Sequence, residues 1–233
     1  MSIDRCAVGV RLDIRFDPGR LERDLARIEN RWWQLHNEPG RLFSGGWSEV
    51  ALISHQGRFD ALYGSMGSDR GPFLKTDVLS SCDYLNEVID FFKCPKKMCR
   101  LLSVEAGSEI FPHADLGAYV RDTVRIHIPV RTHPDVEFVV KNRRLLMQAG
   151  EVWYINGLQL HYLKNPSPVD RVHLVMDCEV NEFIADLFQK SVGRFSFGLH
   201  RFKIRHGCHG MGTLIWRGSR FGKRLLRAAT SRL

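Results

Sequence analysis

Three residues of the sequence have the types and spacing of a metal centre. His113 and Asp115 lie two positions apart, so on an extended strand both side chains would leave the same face. His161 follows later, after an apolar run. Two imidazoles and one carboxylate on one face leave coordination positions open, which suits Fe(II) oxygen chemistry. The sequence therefore predicts an iron centre with His113, Asp115 and His161 as ligands.

Arg171 makes this prediction more specific than the His-x-Asp pattern, which alone also fits a solvated turn. It lies ten residues after His161, at the start of a predicted strand over residues 172–178. A guanidinium can bind a carboxylate through two parallel hydrogen bonds, and an oxoacid cosubstrate beside a metal needs such a partner. The alternative for Arg171 is an exposed position on the strand.

The elements that must position these residues are short strands. Between residues 98 and 180 the sequence consists of β-rich runs that turn residues separate, and no helix-length segment lies between them. This spacing predicts a barrel or jelly roll and disfavours a parallel α/β sheet. The predicted strands, including one near the N-terminus, cover residues 8–16, 100–104, 124–130, 136–140, 145–147, 151–155 and 172–178.

Two helices are predicted before these strands. The first begins at Asp17, an N-cap residue that proline follows, and its apolar residues recur at helical spacing, so we expect it to end near Asn37. The second covers residues 84–92, presents an apolar face and stops before Pro95. Residues 57–72 are rich in glycine and are typical of a loop that borders a site.

The length of 233 residues favours one domain, but the net charge of +8 is unevenly distributed. Residues 187–233 contain eleven Lys or Arg and no Asp or Glu, so residues 1–186 are slightly acidic. We therefore expect a catalytic body over residues 1–186 and a basic C-terminal extension over residues 187–233.

The extension mixes basic and apolar residues, and residues 216–233 fit a basic amphipathic helix. Such a helix could bind an anionic membrane surface or an acidic partner, with nucleic acid the least favoured of these partners. A solvated, partly packed appendage is the alternative. Because the sequence shows neither a secretory signal nor an apolar run long enough to span a bilayer, we expect a cytoplasmic protein, with the extension allowing peripheral membrane contact.

In pattern and order these residues resemble the aspartyl/asparaginyl β-hydroxylase family of 2-oxoglutarate oxygenases, especially its bacterial branch of free-proline cis-hydroxylases. The similar motifs span about seventy residues, and weaker similarity lies upstream, at Gly46-Trp47 among other positions. The motifs are Gly107-x5-His113-x-Asp115, Arg125-x-His127-x-Pro129, Gly150-Glu151-Val152-Trp153, His161-x3-Asn165 and Arg171-x-His173-Leu174-x3-Asp177.

The resemblance implies a mainly β fold, a double-stranded β-helix of the jelly-roll or cupin type, preceded by helices. It implies that the three predicted ligands hold Fe(II) and that Arg171 binds the distal carboxylate of 2-oxoglutarate. Arg125 and His127 would lie beside this cosubstrate. Their alternative is an exposed strand face, with the apolar residues between them turned inward.

The resemblance also indicates the kind of substrate. Animal members of the family carry glycine at the position of Asp115, so this sequence is more similar to the proline-hydroxylase branch. An intact carboxylate ligand also disfavours halogenation. We expect O2-dependent hydroxylation of a C–H bond of a free amino acid, or of an amino-acid unit in a peptide or conjugate. Trp47 and Asn165 are candidate substrate contacts, with burial in the core the alternative for Trp47.

Two other classes of function remain open at this point. The first is a non-catalytic β-barrel of the same ancestry that binds a ligand, although the complete set of three metal ligands favours the enzyme. The second is a membrane- or nucleic-acid-associated module that acts through residues 187–233.

Overall fold

The structure is a computed structural model that describes residues 8–36, 42–60, 71–115 and 123–192. Two sheets, flanked by helices, form this part of the chain. The helices are α1 (Pro18–Leu25), α2 (Asp83–Phe91) and α3 (Glu182–Val192), with 3₁₀ helices at Asn30–Trp32 and Asp77–Ser81. The strands are β1 (Gly9–Arg15), β2 (Gln34–Leu35), β3 (Phe43–Ser44), β4 (Trp47–His55), β5 (Phe73–Lys75), β6 (Lys96–Val104), β7 (Glu109–His113), β8 (Thr123–Arg131), β9 (Glu137–Val140), β10 (Arg143–Arg144), β11 (Glu151–Ile155), β12 (His161–Lys164) and β13 (Arg171–Glu179).

From β6 onwards the chain passes repeatedly between the two sheets. The larger sheet has the order β1-β11-β8-β13-β6-β4-β2, with β5 paired to β4, and the smaller sheet has the order β10-β9-β12-β7-β3. Consecutive strands such as β6, β7 and β8, or β11, β12 and β13, therefore lie in alternate sheets, and every pairing is antiparallel. This winding is a double-stranded β-helix and confirms the predicted fold class.

The two faces of the larger sheet bury different kinds of residue. On β8 and β13, Ile126, Ile128 and Leu174 are fully buried in a core that includes residues of all three helices. Each such side chain contributes about 1.5–3 kcal/mol when it is removed from water. The alternate positions of these strands face the smaller sheet, and they are the polar positions that the sequence singles out.

Helix α1 is shorter than its apolar spacing predicts. Its N-cap is confirmed, because the Asp17 carboxylate accepts hydrogen bonds from the backbone of the first turn. The helix ends at Leu25 rather than near Asn37, and a 3₁₀ helix follows at Asn30–Trp32. Ile28 still packs into the core from the intervening turn, so the helical spacing of apolar residues continues although the helix does not.

The predicted strand at residues 145–147 is wrong. The two-residue strand β10 forms before it and pairs with β9 through a turn in which Lys141 and Asn142 have positive φ angles of 48° and 62°. Leu145 and Met147 lie outside any strand but are buried between the sheets. Their apolar character therefore reflects burial and does not indicate a strand. The other predicted strands and the second helix are confirmed. Of the strands that the structure describes, seven escape prediction, namely β2, β3, β4, β5, β7, β10 and β12.

The predicted boundary between residues 186 and 187 falls inside α3, which packs against the larger sheet. The backbone N–H of Asp13 in β1 donates to Ser191 Oγ at 2.9 Å. Phe188 is 2% exposed and contacts the ring of Tyr154 at 5.3 Å between centroids. The rest of the basic extension lies outside the described residues. None of the helices that the structure describes has the length and apolar character to cross a membrane.

Gly150 occupies a position that excludes other residues. Its φ is +80°, and a Cβ atom there would lie 2.2 Å from the carbonyl oxygen of Phe16, whose N–H donates to Gly150 O. Gly107 has a similar φ of +76°, but a Cβ atom there would meet nothing within 4 Å. The two glycines thus share the backbone strain and differ in the steric conflict.

We expect Gly150→Ala to lower the free energy of unfolding by about 3 kcal/mol or more, because strain and a backbone clash add. The matched substitution Gly107→Ala should cost only about 1 kcal/mol, for strain alone. Urea denaturation followed by circular dichroism measures both values. Equal losses in the two variants would contradict the clash at Gly150.

Candidate metal centre and anion site

His113 and His161 are held face to face by the smaller sheet. They are direct partners on the neighbouring strands β7 and β12, and their ring centroids lie 4.3 Å apart. Nδ1 of His113 lies 2.8 Å from the carbonyl oxygen of Phe111, and Nδ1 of His161 lies 2.9 Å from that of Gln159. Because a carbonyl only accepts, each Nδ1 carries the proton and each Nε2 keeps its lone pair for a metal.

Asp115 completes the donor set just after β7 ends. Its backbone N–H donates to the carbonyl oxygen of Gly157 at 2.9 Å, which fixes the chain beside the histidines. Its Oδ1 lies 3.4 Å from Nε2 of His113, and its Oδ2 lies 3.9 Å from Nε2 of His161. The ligand atoms of the three residues all lie within 4.8 Å of one another, so one ion can contact all three. The predicted ligands therefore come together, and their chemistry fits Fe(II).

The electrostatic surroundings favour the metal-binding forms of Asp115 and His161. Burial alone would raise the pKa of Asp115, but the charge of Arg125 and the hydrogen bond with His113 hold it below its usual range. Burial lowers the pKa of His161, so its imidazole is neutral. Burial also acts to lower the pKa of His113, but the hydrogen bonds with Asp115 and the carbonyl of Phe111, together with the charge of Asp115, outweigh it and raise that pKa. A metal would displace the proton involved.

Arg125 is buried beside this centre, which rules out the exposed strand face as its position. Its Nε and Nη2 donate to both carboxylate oxygens of Asp177 at 2.7 and 2.8 Å. Its Nη1 donates to Oδ2 of Asp115 at 2.5 Å. The sequence contains Asp177 in a motif but gives it no role. Its position opposite Arg125 on β13 is what brings the two together.

His127 and His173 line the same side of the larger sheet, and both are buried. Their ring centroids lie 5.8 Å apart. Burial and the positive charge of Arg171 place the pKa of each histidine well below its usual range, so both are neutral. Nδ1 of His127 has no hydrogen-bond partner among the residues that the structure describes, and is therefore available to a ligand.

Arg171 is 3% exposed, so the alternative of a surface position is wrong. Its Nη2 lies 2.7 Å from Nδ1 of His173, and its guanidinium lies 5.4 Å from the ring centroid of Phe138. Burial lowers the pKa of Arg171 to about 9, which still leaves a cation at neutral pH. None of the carboxylates in the described parts of the chain forms an ion pair with it, and its Nε has no partner there. A buried cation in this state favours an anionic ligand.

Phe138 joins the anion site to the metal centre. Its ring centroid lies 6.2 Å from that of His161 and 5.9 Å from that of His127. An anion bound at Arg171 would therefore lie beside Phe138, whose ring also lies beside the predicted metal ligand His161. The sequence analysis missed Phe138, because an aromatic residue in an apolar strand resembles any core residue.

Trp47 lies at the start of β4, against the core between the sheets. It stacks on the ring of His36 at 3.8 Å between centroids and meets Phe43 edge-on at 5.4 Å. Its partial burial is compatible with both expectations, a pocket wall and a core residue.

Asn165 is buried and joins two loops. Its amide Nδ2 donates to three backbone carbonyls, and its Oδ1 accepts a hydrogen bond from Ser167 at 2.6 Å. The three carbonyls belong to Val104, Glu105 and Val169, at 2.9, 3.1 and 2.9 Å. These bonds give Asn165 a structural role between the two loops, and its predicted contact with a substrate stays a prediction.

A buried ion pair that the sequence analysis missed lies on the same face of the larger sheet. Nη1 of Arg100 lies 3.1 Å from Oε2 of Glu49, and both residues are buried. Val175 is the direct partner of Arg100 on one side and of His127 on the other. Arg100 is therefore two strands away from His127, or about 10 Å. Charged residues within the apolar runs of β4 and β6 are the signal that could have identified this pair.

Comparisons with known proteins agree with this geometry. The sequence model of the family described as Aspartyl/Asparaginyl beta-hydroxylase matches residues 20–180. The chain is 25% identical over 172 residues to L-proline cis-4-hydroxylase of Rhizobium meliloti (strain 1021), which covers 73% of this chain and 60% of that relative. The chain thus spans less than two thirds of the length of this curated relative.

Among solved structures, the fold is similar to an oxidoreductase of the 2OG-Fe(II) oxygenase family from Burkholderia pseudomallei. The TM-score is 0.51 at 16% identity, over 75% of this chain and 86% of that one. At this identity the likeness concerns the fold alone. With the family model matching well over half of its residues, the chain belongs to the aspartyl/asparaginyl β-hydroxylase family.

Proposed function

We propose that the protein is an Fe(II)- and 2-oxoglutarate-dependent dioxygenase. Its substrate would be a free amino acid or an amino-acid unit of a peptide or conjugate, hydroxylated at a C–H bond. The observation that carries the proposal is the pairing of a His-Asp-His donor set with a buried arginine that has no carboxylate partner in the described residues. Membership of the family and the similarity to a proline hydroxylase support it.

His113, Asp115 and His161 would hold the iron through two Nε2 atoms and a carboxylate oxygen. When bound, Fe(II) supplies the activation of O2 that couples conversion of 2-oxoglutarate to succinate and CO2 with hydroxylation of the substrate. The residues of the chain would position the reactants and exclude water from the site. The donors leave one side of the metal for small molecules, and the surrounding residues are buried.

Arg171 would bind the distal carboxylate of 2-oxoglutarate, which neutralises the buried cation. The accepting Nδ1 of His173 orients the guanidinium from behind. Nδ1 of His127 would offer a further polar contact to the cosubstrate, and Phe138 would exclude water along its carbon chain. These residues fix the cosubstrate between the arginine and the metal.

The Arg100 and Glu49 pair supports an amino acid as the substrate class. A free amino acid carries one carboxylate and one ammonium group, and this pair presents one charge of each sign on the face that carries His127. Exchange of the internal ion pair for two pairs with the substrate would keep both charges balanced in the buried site.

A substrate screen tests the proposal. The purified protein is supplied with Fe(II), ascorbate, 2-oxoglutarate and single amino acids or short peptides, with L-proline first. We expect succinate together with a product that is heavier by one oxygen atom and, under isotopically labelled O2, carries the label. If 2-oxoglutarate and Fe(II) bind but no amino acid or peptide is hydroxylated, the substrate class is wrong. If 2-oxoglutarate does not bind, the proposal as a whole fails.

Removal of residues 193–233 should leave this turnover within a factor of about two of the full chain, the size of effect expected when no site residue is changed. The reason is that all the site residues named above lie in the body. Steady-state assays of both forms measure the role of the extension in turnover. Sedimentation with anionic vesicles measures its role in membrane binding. Loss of turnover on truncation would make the extension part of the catalytic unit.

A further inference from the structure

We infer that Arg125 and Asp177 are positioning residues that hold the carboxylate of Asp115 in the orientation of a metal ligand. The inference rests on the proposed metal centre and goes beyond it, because it assigns the orientation of one ligand to two residues that do not touch the metal. It also gives Arg125 a role other than direct contact with the cosubstrate.

The two oxygen atoms of Asp115 have different neighbours. Oδ2 accepts a hydrogen bond from Nη1 of Arg125 at 2.5 Å and lies 3.9 Å from Nε2 of His161, whereas Oδ1 lies 3.4 Å from Nε2 of His113. The guanidinium thus holds the carboxylate with one oxygen toward each histidine. Turning the carboxylate away from the histidines would require the short, charge-assisted bond to Arg125 to break.

Asp177 keeps Arg125 from binding Asp115 too strongly. Both Arg125 and Asp177 are buried, at 6% and 5% exposure, and two parallel hydrogen bonds join them. Without Asp177, the buried guanidinium would have Asp115 as its main counter-charge and would compete with the metal for it. With Asp177, the three residues together carry one net negative charge, and that charge remains available to the metal.

The sheet makes this arrangement rigid. Arg125 and Asp177 are direct partners on β8 and β13, which are adjacent strands in the interior of the larger sheet. Asp115 follows β7 in the smaller sheet. The guanidinium therefore connects a strand pair in one sheet to a metal ligand on the other, and its position does not depend on a loop.

The test uses Co(II) under anaerobic conditions, with affinity measured by calorimetry and coordination read from the visible absorption bands. The main variant is the double substitution R125Q/D177N, which keeps side-chain size and leaves no lone charge from the pair. We expect a loss of Co(II) affinity of about 10- to 100-fold, the range for residues that orient metal ligands, together with altered bands as Asp115 turns. Wild-type affinity and bands in this variant would overturn the inference.

Three further variants keep the outcome clear. R125K retains the charge but cannot bridge two carboxylates, and it should change the Co(II) bands even if the double variant does not fold. R131Q removes the arginine at the other end of β8, which pairs with Glu22 at the surface, and should leave both readouts unchanged. H113A distinguishes a failure of the metal centre from a failure of the positioning role alone. If it binds Co(II) like the wild type, the metal centre is wrong. If it loses Co(II) while the two Arg125 variants match the wild type, only the positioning role fails.

Discussion

Replacing either His113 or His161 by alanine is expected to abolish succinate formation and metal binding together. Each imidazole would supply one of three protein ligands, and each is already oriented by the hydrogen bond of its Nδ1. Loss of a direct ligand should exceed the roughly 10- to 100-fold losses that follow removal of residues around a metal site. Turnover of 2-oxoglutarate and Fe(II) titration measure the two effects.

His133→Ala is the matched control for these variants. His133 is also close to an aspartate, with its Nδ1 3.4 Å from a carboxylate oxygen of Asp135, but the pair lies at the surface. This variant should keep wild-type turnover and metal affinity. Unchanged turnover in either ligand variant would remove the assignment of the metal centre.

Arg171→Met is expected to weaken 2-oxoglutarate binding by about 30-fold or more, since loss of one partner from a buried charge pair costs about 2–5 kcal/mol. The effect should fall on the KM for 2-oxoglutarate more than on kcat, because the arginine lies at the far end of the cosubstrate. Steady-state kinetics and direct calorimetric titration of 2-oxoglutarate measure it. The affinity of Arg171→Lys for 2-oxoglutarate should lie between those of the wild type and Arg171→Met, because an ammonium keeps the charge without the paired hydrogen bonds.

The same substitution separates binding from folding. Since Arg171 is a buried cation with no carboxylate partner in the described chain, methionine should leave the thermal stability of the ligand-free protein unchanged or higher. Added 2-oxoglutarate should raise the melting temperature of the wild type and not that of the variant. A variant that binds 2-oxoglutarate like the wild type would refute the anion site.

The residues of the site could be predicted more completely than the strands that carry them. The i, i+2 spacing of His113 and Asp115 is a local property of an extended chain, and the parity of Arg171 with His173 is another. Both can be read without knowing which strands are neighbours. The strands β7 and β12, which carry the two histidines, escaped prediction because they are short and only partly apolar.

Cross-strand partners could not be predicted in this way. The pairing of Arg125 with Asp177 depends on the register between β8 and β13, and that of Arg100 with Glu49 on the register between β6 and β4. Register results from packing over whole faces, which a single sequence does not display. The early end of α1 could not be predicted for the same reason, since it depends on packing. Ile28 is buried in the core at helical spacing although the chain there is no longer helical.

The hydrogen bonds that fix His113 and His161 lie within three residues of chain, since each Nδ1 donates to the carbonyl two positions before it. Each histidine therefore brings its correctly oriented lone pair with its own strand. The consequence is a division of labour: each imidazole is oriented within its own stretch of chain, whereas the carboxylate of Asp115 depends on residues of the other sheet.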